Sequence, residues 1–177
     1  DRPWETCRTM NNSWGYNAGD TAYKSPSTLI REMVKTVSRD GNYLLNIGPR
    51  GDGTVPEQSV NILNEFGEWM TAFGESIYGA TRSPFENEPV WGFFTKKQGK
   101  LFAHIFKWPA DKKLLIPAIE NEIKSIYLLN KPFESLNFSI SDDGILVTLP
   151  EDPLNEINSV LVIEVAGMPI ALNKFNN

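Results

Sequence analysis

The sequence predicts an incomplete α/β unit followed by an antiparallel β-sandwich, and three features of it carry that expectation. Over about the first eighty residues, apolar positions recur at helical spacing on either side of a short apolar run and a glycine loop, which is the alternation of an α/β fold. Beyond Gly79, short segments of strand character follow one another between turn signals, the rhythm of a sandwich. The α/β part has about two strands, too few for a parallel sheet covered on both faces, so strands from outside this chain are expected to complete it.

In order along the chain, Ser25-Pro26 offers an N-cap and a first-turn proline. Leu29, Ile30, Met33, Val34 and Val37 then fall at helical spacing until Asp40-Gly41, which predicts a helix over about 26–39. The run Tyr43-Leu44-Leu45-Asn46-Ile47-Gly48 reads as a strand buried on both faces. Asn46 inside it must be satisfied in the core or aimed into a cavity, and a scaffolding hydrogen bond is expected of it and of Ser13. Thr54-Val55-Pro56-Glu57 combines a capping box with an early proline, and Val60, Leu63, Phe66, Trp69, Met70 and Phe73 predict one side of a helix reaching about residue 75.

Strands are predicted over 90–96, 101–107, 113–116, 123–129, 135–141, 144–149 and 159–165, with turns such as Gln98-Gly99 and Asp142-Asp143-Gly144 between them. The boundary is placed in the polar segment bracketed by Ser83-Pro84 and Glu88-Pro89. This gives units over 1–80 and 90–177 with a linker over 81–89. No internal repeat or low-complexity tract interrupts the chain.

Bulk composition narrows the partners. With 177 residues, 41% of them hydrophobic, and a net charge of −5 without a basic cluster, the chain argues against nucleic acid and gives no reason to expect a membrane partner. There is no apolar run long enough for a spanning helix. One Cys and one His exclude an internal disulfide and a Cys/His zinc cage, and no cofactor is expected. Since the chain begins with Asp rather than Met, it is expected to be a fragment or a processed product.

The chemistry concentrates at the start, in Trp4-Glu5-Thr6-Cys7-Arg8-Thr9-Met10 and Asn11-Asn12-Ser13-Trp14-Gly15-Tyr16-Asn17, with Asp20 just beyond. Aromatic and charged residues on irregular backbone suit a polar-ligand pocket, because sugar rings stack on aromatic faces while carboxylates and guanidinium groups bind hydroxyls. An aromatic-rich surface loop is the plainer reading of the same residues. Gly51-Asp52-Gly53 lacks the lysine and spacing of a P-loop and reads as a turn. Glu120-Asn121-Glu122 is too thin for a calcium site, and His104, a lone imidazole in a strand, is expected to be structural or solvent-facing.

Five segments in order, Trp4-Glu5-Thr6-Cys7-Arg8, Ser13-Trp14-Gly15-Tyr16-Asn17, Gly41 through Pro49, Asp52-Gly53, and Gly67-Glu68-Trp69 through Gly79, resemble α-L-fucosidases of glycoside hydrolase family 29. The second half resembles the family's C-terminal domain more loosely, in strand rhythm and in the stretch from Trp91 to Trp108. The resemblance implies a multi-domain α/β plus all-β architecture, the last third of a (β/α)8-like barrel followed by a β-sandwich. It also implies an exo-acting, retaining, metal-free hydrolase of terminal α-L-fucose, acting on fucosylated oligosaccharides or glycoconjugates in a secreted, periplasmic or lysosomal setting.

The family's nucleophilic aspartate and its fucose-binding histidines lie upstream, so this chain is expected to need the missing N-terminal barrel portion and to be inactive alone. Two positions match catalytic acid/base assignments in the family. One is Asp20, in the loop after the SWGYN-like motif, where glutamate is more usual and one methylene longer; the other is Glu5. By the same resemblance Arg8 contacts the sugar or holds the nucleophile ionised, Tyr43 is a ring of the pocket, and Trp14 walls it beside the fucose methyl group. The competing function is a non-catalytic carbohydrate-binding sandwich with Trp91, Phe93 and Trp108 as its platform, Trp91 and Phe93 sharing a strand face.

Overall fold

The computed structural model describes residues 2–172. Its first part runs β1 (Trp4–Thr9), α1 (Pro26–Val37), β2 (Gly41–Asn46) and α2 (Glu57–Phe73), closed by a 3-10 turn over Gly74–Ser76. β1 and β2 are parallel neighbours, Trp4 opposite Gly41 and Thr9 opposite Asn46. A parallel pair needs a crossover, and α1 supplies it. Pro26 opens α1 as expected, and the Ser25 hydroxyl caps it by accepting from Thr28 N at 3.1 Å.

Three expectations change here. The stretch Trp4–Thr9 is a regular strand rather than irregular backbone, because pairing with β2 satisfies its main chain whatever its side chains carry. β2 begins at Gly41 and is not buried on both faces. Tyr43 and Leu45 pack toward the helices, while Asn42 and Leu44 are exposed, since two helices cover only one side of a two-stranded sheet. The capping box of α2 does not form: Thr54 N and Oγ1 both donate to Asp52 Oδ1, at 2.9 and 2.7 Å, and Pro56 stands at the N-cap without a side-chain bond.

The buried stripe of α2 also differs from the expected one. Ser59, Ile62, Trp69 and Phe73 are buried, while Val60 and Leu63 stay 40% and 38% exposed. Ile62 packs with Leu29 and Met10, and that contact sets the rotation of the helix.

The remaining strands are β3 (Gly92–Lys97), β4 (Lys100–Ile105), β5 (Lys113–Ile116), β6 (Ile123–Leu128), β7 (Phe138–Ser141), β8 (Gly144–Thr148) and β9 (Ser159–Val165). They form two antiparallel sheets, β3-β4-β9-β6 and β5-β8-β7, packed as a sandwich. Each expected strand is present, some trimmed at one end.

The four-stranded sheet is buried on both sides. From β4, Leu101, Ala103 and Ile105 enter the core between the sheets; from β9, Leu161, Ile163 and Val165 do the same. Their neighbours Phe102, Val160 and Val162 face the helices and pack with Ile30, Val34, Trp69 and Phe73. Truncating a buried aromatic such as Phe102 costs about 3–5 kcal/mol.

Trp91 and Phe93 do not share a face. Phe106 N and Lys107 N both donate to Trp91 O, an irregularity ahead of β3 that breaks the alternation. Trp91 turns into the sandwich, 5.3 Å edge-on from Phe94, while Phe93 turns to the helix side, 5.9 Å from Phe106. Trp108 is half-buried and donates its indole N–H to Pro150 O at 3.3 Å. The three aromatics of the binding-platform reading are thus engaged in packing.

His104 is fully buried where the helices meet the sheet. Thr95 Oγ1 donates to Ser76 O at 2.7 Å, since a carbonyl only accepts, so it must accept from His104 Nε2 at 3.0 Å. His104 Nδ1 in turn accepts from Asn158 Nδ2 at 3.2 Å, and Trp69 Nε1 donates to Asn158 O at 3.1 Å. The imidazole is therefore neutral with its proton on Nε2, and burial pushes its pKa down to about 3.

The unfolded chain takes up this proton near pH 6.5 and the folded one only near pH 3. The stabilisation by neutral His104 is complete above pH 6.5 and is lost as pH falls toward 3, with a limiting slope of ~1.4 kcal/mol per pH unit. Urea unfolding between pH 6.5 and 5 should show the midpoint dropping with pH, and His104→Gln should flatten that dependence. Equal slopes in the two proteins would acquit the imidazole.

Candidate functional site

The two faces of the β1-β2 pair are chemically different. Trp4, Thr6 and Arg8, with Gly41, Tyr43 and Leu45 opposite them, belong to the helix side. The Trp4 ring covers Gly41, where an added Cβ would lie 2.4 Å from it, and its indole N–H donates to Arg39 O at 3.1 Å. Arg8 Nε is 3.4 Å from Glu32 Oε2 on α1. Tyr43 packs against the helix core, and its burial, reinforced by the Glu32 charge, raises the phenol's pKa far above its ordinary value.

The opposite face carries Glu5, Cys7 and Thr9 with Asn42, Leu44 and Asn46. Glu5 accepts a weak bond from Cys7 Sγ at 3.6 Å. It stands second in β1, so at the usual strand rise it lies roughly 13 Å short of the strand's C-terminal end. The structure therefore brings neither Arg8 nor Tyr43 to the face that holds Glu5.

Asp20, Trp14 and Tyr16 lie in the loop that leaves the C-terminal end of β1. That edge is where parallel α/β folds place their sites, because successive loops converge there. Asp20 organises the loop: Oδ2 accepts from Asn12 N at 2.9 Å and Ser13 Oγ at 2.7 Å, and Oδ1 accepts from Ala22 N at 3.2 Å. These bonds, Ser13 foremost, hold its pKa below the ordinary carboxylate range.

The loop is fastened to the sheet at several points. The Lys24 ammonium donates to Thr9 O at 2.7 Å and Asn11 O at 2.9 Å, capping the end of β1. From β2, the Asn46 amide donates to Trp14 O, so Asn46 serves the loop backbone, and Ser13 serves Asp20. Gly48, at φ 56°, lies against Gly15 and Trp14, and a Cβ there would sit 3.3 Å from both backbones. This glycine is required twice over, by conformation and by close approach.

With its backbone pinned, the loop leaves Trp14 57% and Tyr16 46% exposed. The Arg50 guanidinium, from the loop after β2, lies over the Tyr16 ring at 5.4 Å. Sequence reasoning assigned no role to Tyr16 or Arg50. The available signal was positional, since Arg50 closely follows β2 just as Trp14 and Tyr16 follow β1. Among the described residues, no cluster of three or more His, Cys, Asp or Glu could hold a metal ion, and no helix is long and apolar enough to cross a membrane.

Comparisons with known proteins match the two parts of the chain separately. A family model for α-L-fucosidase matches residues 1–75, and one for the α-L-fucosidase C-terminal domain matches residues 83–164. The chain is similar to the plasma α-L-fucosidase of Homo sapiens, at 32% identity over 164 residues, 87% of this chain and 35% of that protein. It thus spans about a third of the length of the curated relatives it matches.

Among solved structures, α-L-fucosidase isoenzyme 1 from Paenibacillus thiaminolyticus superposes with a TM-score of 0.84 at 34% identity, covering 92% of this chain and 40% of that one. A trapped covalent intermediate of a GH29 α-L-fucosidase from Bacteroides thetaiotaomicron, in complex with 2-fluoro-fucosyl fluoride, superposes at 0.83 and 25% identity over 92% of this chain and 38% of that one.

The hydrogen-bond pattern around Asp20 has a direct consequence. Ser13→Ala removes the largest influence holding the carboxylate ionised, so the Asp20 pKa should rise toward its ordinary value. A carboxyl carbon-13 NMR titration reads this; an unmoved titration curve would show that the backbone amides suffice.

Proposed function

The chain belongs to the α-L-fucosidase family, and on that premise we propose that it is the C-terminal part of an exo-acting, retaining α-L-fucosidase that removes terminal α-L-fucose from oligosaccharides or glycoconjugates. In this reading the part of the chain up to residue 80 closes the catalytic barrel, 81–89 link, and the sandwich begins at residue 90. The nucleophilic aspartate and part of the fucose pocket come from upstream barrel strands. The observation that carries the reading is the parallel β1-β2 pair, within the segment matched by the catalytic family model, whose loops hold a carboxylate among exposed aromatics at the C-terminal edge.

A retaining enzyme sets two carboxyl groups roughly 5 to 5.5 Å apart. One attacks the anomeric carbon as the bond to the leaving oxygen breaks, and the other protonates that oxygen, later taking a proton back from the water that releases fucose. The covalent intermediate trapped on the Bacteroides neighbour supports this course.

For the proton donor we place Asp20 ahead of Glu5, because Asp20 lies in a loop at the catalytic edge and Glu5 lies low on the strand. The loop alone holds Asp20 ionised. An upstream carboxylate at the separation above would raise its pKa, since two like charges so close resist ionising together, and that makes it a donor. Trp14 is the residue of this chain best exposed to wall the sugar. We assign Arg8 and Tyr43, on the helix side, to holding β1 and β2 onto α1 rather than to touching fucose.

Release of 4-nitrophenol from its α-L-fucoside tests the reading, with this chain assayed beside an N-terminally extended polypeptide. The extended protein should turn over and the chain alone should not; no turnover by either rejects the assignment. In the extended protein, Asp20→Asn should lower kcat/KM for a fucosyl disaccharide by ~10²–10⁴. Glu5→Gln should stay within a few-fold of the unmodified protein, and the reverse ranking would move the proton to Glu5.

A further inference from the structure

We propose that the exposed face of Tyr16, with Arg50 stacked against its ring, is the platform for the leaving-group sugar, the residue to which fucose is attached. This rests on the function proposed above and extends it to a part of the substrate that fucose-binding groups do not reach.

The argument begins with exposure. Tyr16 is 46% exposed, yet neither its backbone nor its ring is loose. Asn46 and Gly48 hold the Trp14–Tyr16 turn from below, and the Arg50 guanidinium lies 5.4 Å from the ring centre. Arg50 is itself fixed: its Nη1 donates to Val55 O at 3.2 Å and Thr54 Oγ1 at 3.4 Å, while its backbone N donates to Thr54 O at 2.8 Å. A pre-set aromatic surface loses little freedom when a ring stacks on it, which is how such surfaces gain affinity.

The second step is the position relative to the proton. Ser13 Oγ donates to Asp20 Oδ2 and Asp20 N donates to Asn17 O at 3.1 Å, so Tyr16 lies inside a turn tied at one end to the Asp20 carboxylate and at the other to the Asp20 backbone. A general acid delivers its proton to the oxygen that joins the two sugars. Fucose lies on one side of that oxygen toward the nucleophile, and the leaving sugar extends to the other side along the acid's own loop. Of the two exposed aromatics on that loop, Trp14 is assigned to fucose, which leaves Tyr16 for the leaving sugar.

The third step is chemical fit. A pyranose offers an apolar C–H face to an aromatic ring and hydroxyls around its edge. Arg50 carries five N–H donors, of which the structure records Nη1 in use, so the guanidinium beside the ring has donors to offer those hydroxyls. A neutral hexose or N-acetylhexosamine satisfies both groups.

The test compares two substrates on the full-length polypeptide that carries this chain: a fucosylated disaccharide and α-L-fucosyl fluoride, whose leaving group has no ring to stack. Tyr16→Leu should lower kcat/KM for the disaccharide by ~10-fold, mostly through KM, and leave the fluoride unchanged; Tyr16→Phe should restore the disaccharide rate because it keeps the ring. Equal losses on both substrates would make Tyr16 a positioning residue and overturn the inference, as would an unchanged disaccharide rate. If the unmodified polypeptide cleaves neither substrate, the functional reading itself is rejected, a result distinct from the other two.

Discussion

The constraint on which the rest of the structure depends is the absence of a solvent-facing side to the β3-β4-β9-β6 sheet. One side packs on β5-β8-β7 and the other on α1 and α2. The sandwich therefore has two hydrophobic seams, and the second joins it to the βαβα part. His104, Thr95 and Asn158 sit in that second seam. Burying a polar group between apolar layers is costly unless it is partnered, and here both ring nitrogens are, by Thr95 and Asn158, which in turn reach Ser76 and, through the Asn158 main-chain carbonyl, Trp69. The relative placement of sheet and helices is consequently fixed by hydrogen-bond geometry as well as by apolar contact.

This fixed base bears on the chemistry at the other end of the βαβα part. The loop after β1 carries the exposed aromatics Trp14 and Tyr16 without a hydrophobic cover, so its order must come from polar and backbone contacts. It does: Lys24 binds the end of β1, Asn46 binds the Trp14 carbonyl, Gly48 permits close approach, and Asp20 gathers Asn12, Ser13 and Ala22. Asn46 and Ser13 make the scaffolding hydrogen bonds expected of them, holding the exposed loop in place, and in the chain alone the Asp20 carboxylate does the same.

Family membership and geometry give complementary information. Similarity over both halves relates the chain to α-L-fucosidases, while the geometry separates the residues exposed in the loops after β1 and β2 from those that face α1. Arg8 and Tyr43 belong to the motifs but point to α1; Tyr16, to which the sequence assigned no role, is exposed with the half-buried Arg50 against its ring.

The sequence by itself determined the elements whose signals are local. α1 was legible from Ser25-Pro26 and its apolar spacing, and the strands of the sandwich from short apolar runs between turns, because capping, proline and glycine geometry, and periodicity act within a few residues. The loop that holds Asp20 and Trp14 was legible as a motif. Tertiary structure alone decided the direction of side chains: that Trp4–Thr9 is a strand at all, that Arg8 faces Glu32, that Phe93 turns from the sandwich to the helices, and that Val60 and Leu63 fall off the buried stripe. The physical reason is parity. Shifting a strand's start or register by one residue turns every side chain to the opposite face, and only the partner strand or helix against which it packs sets that choice.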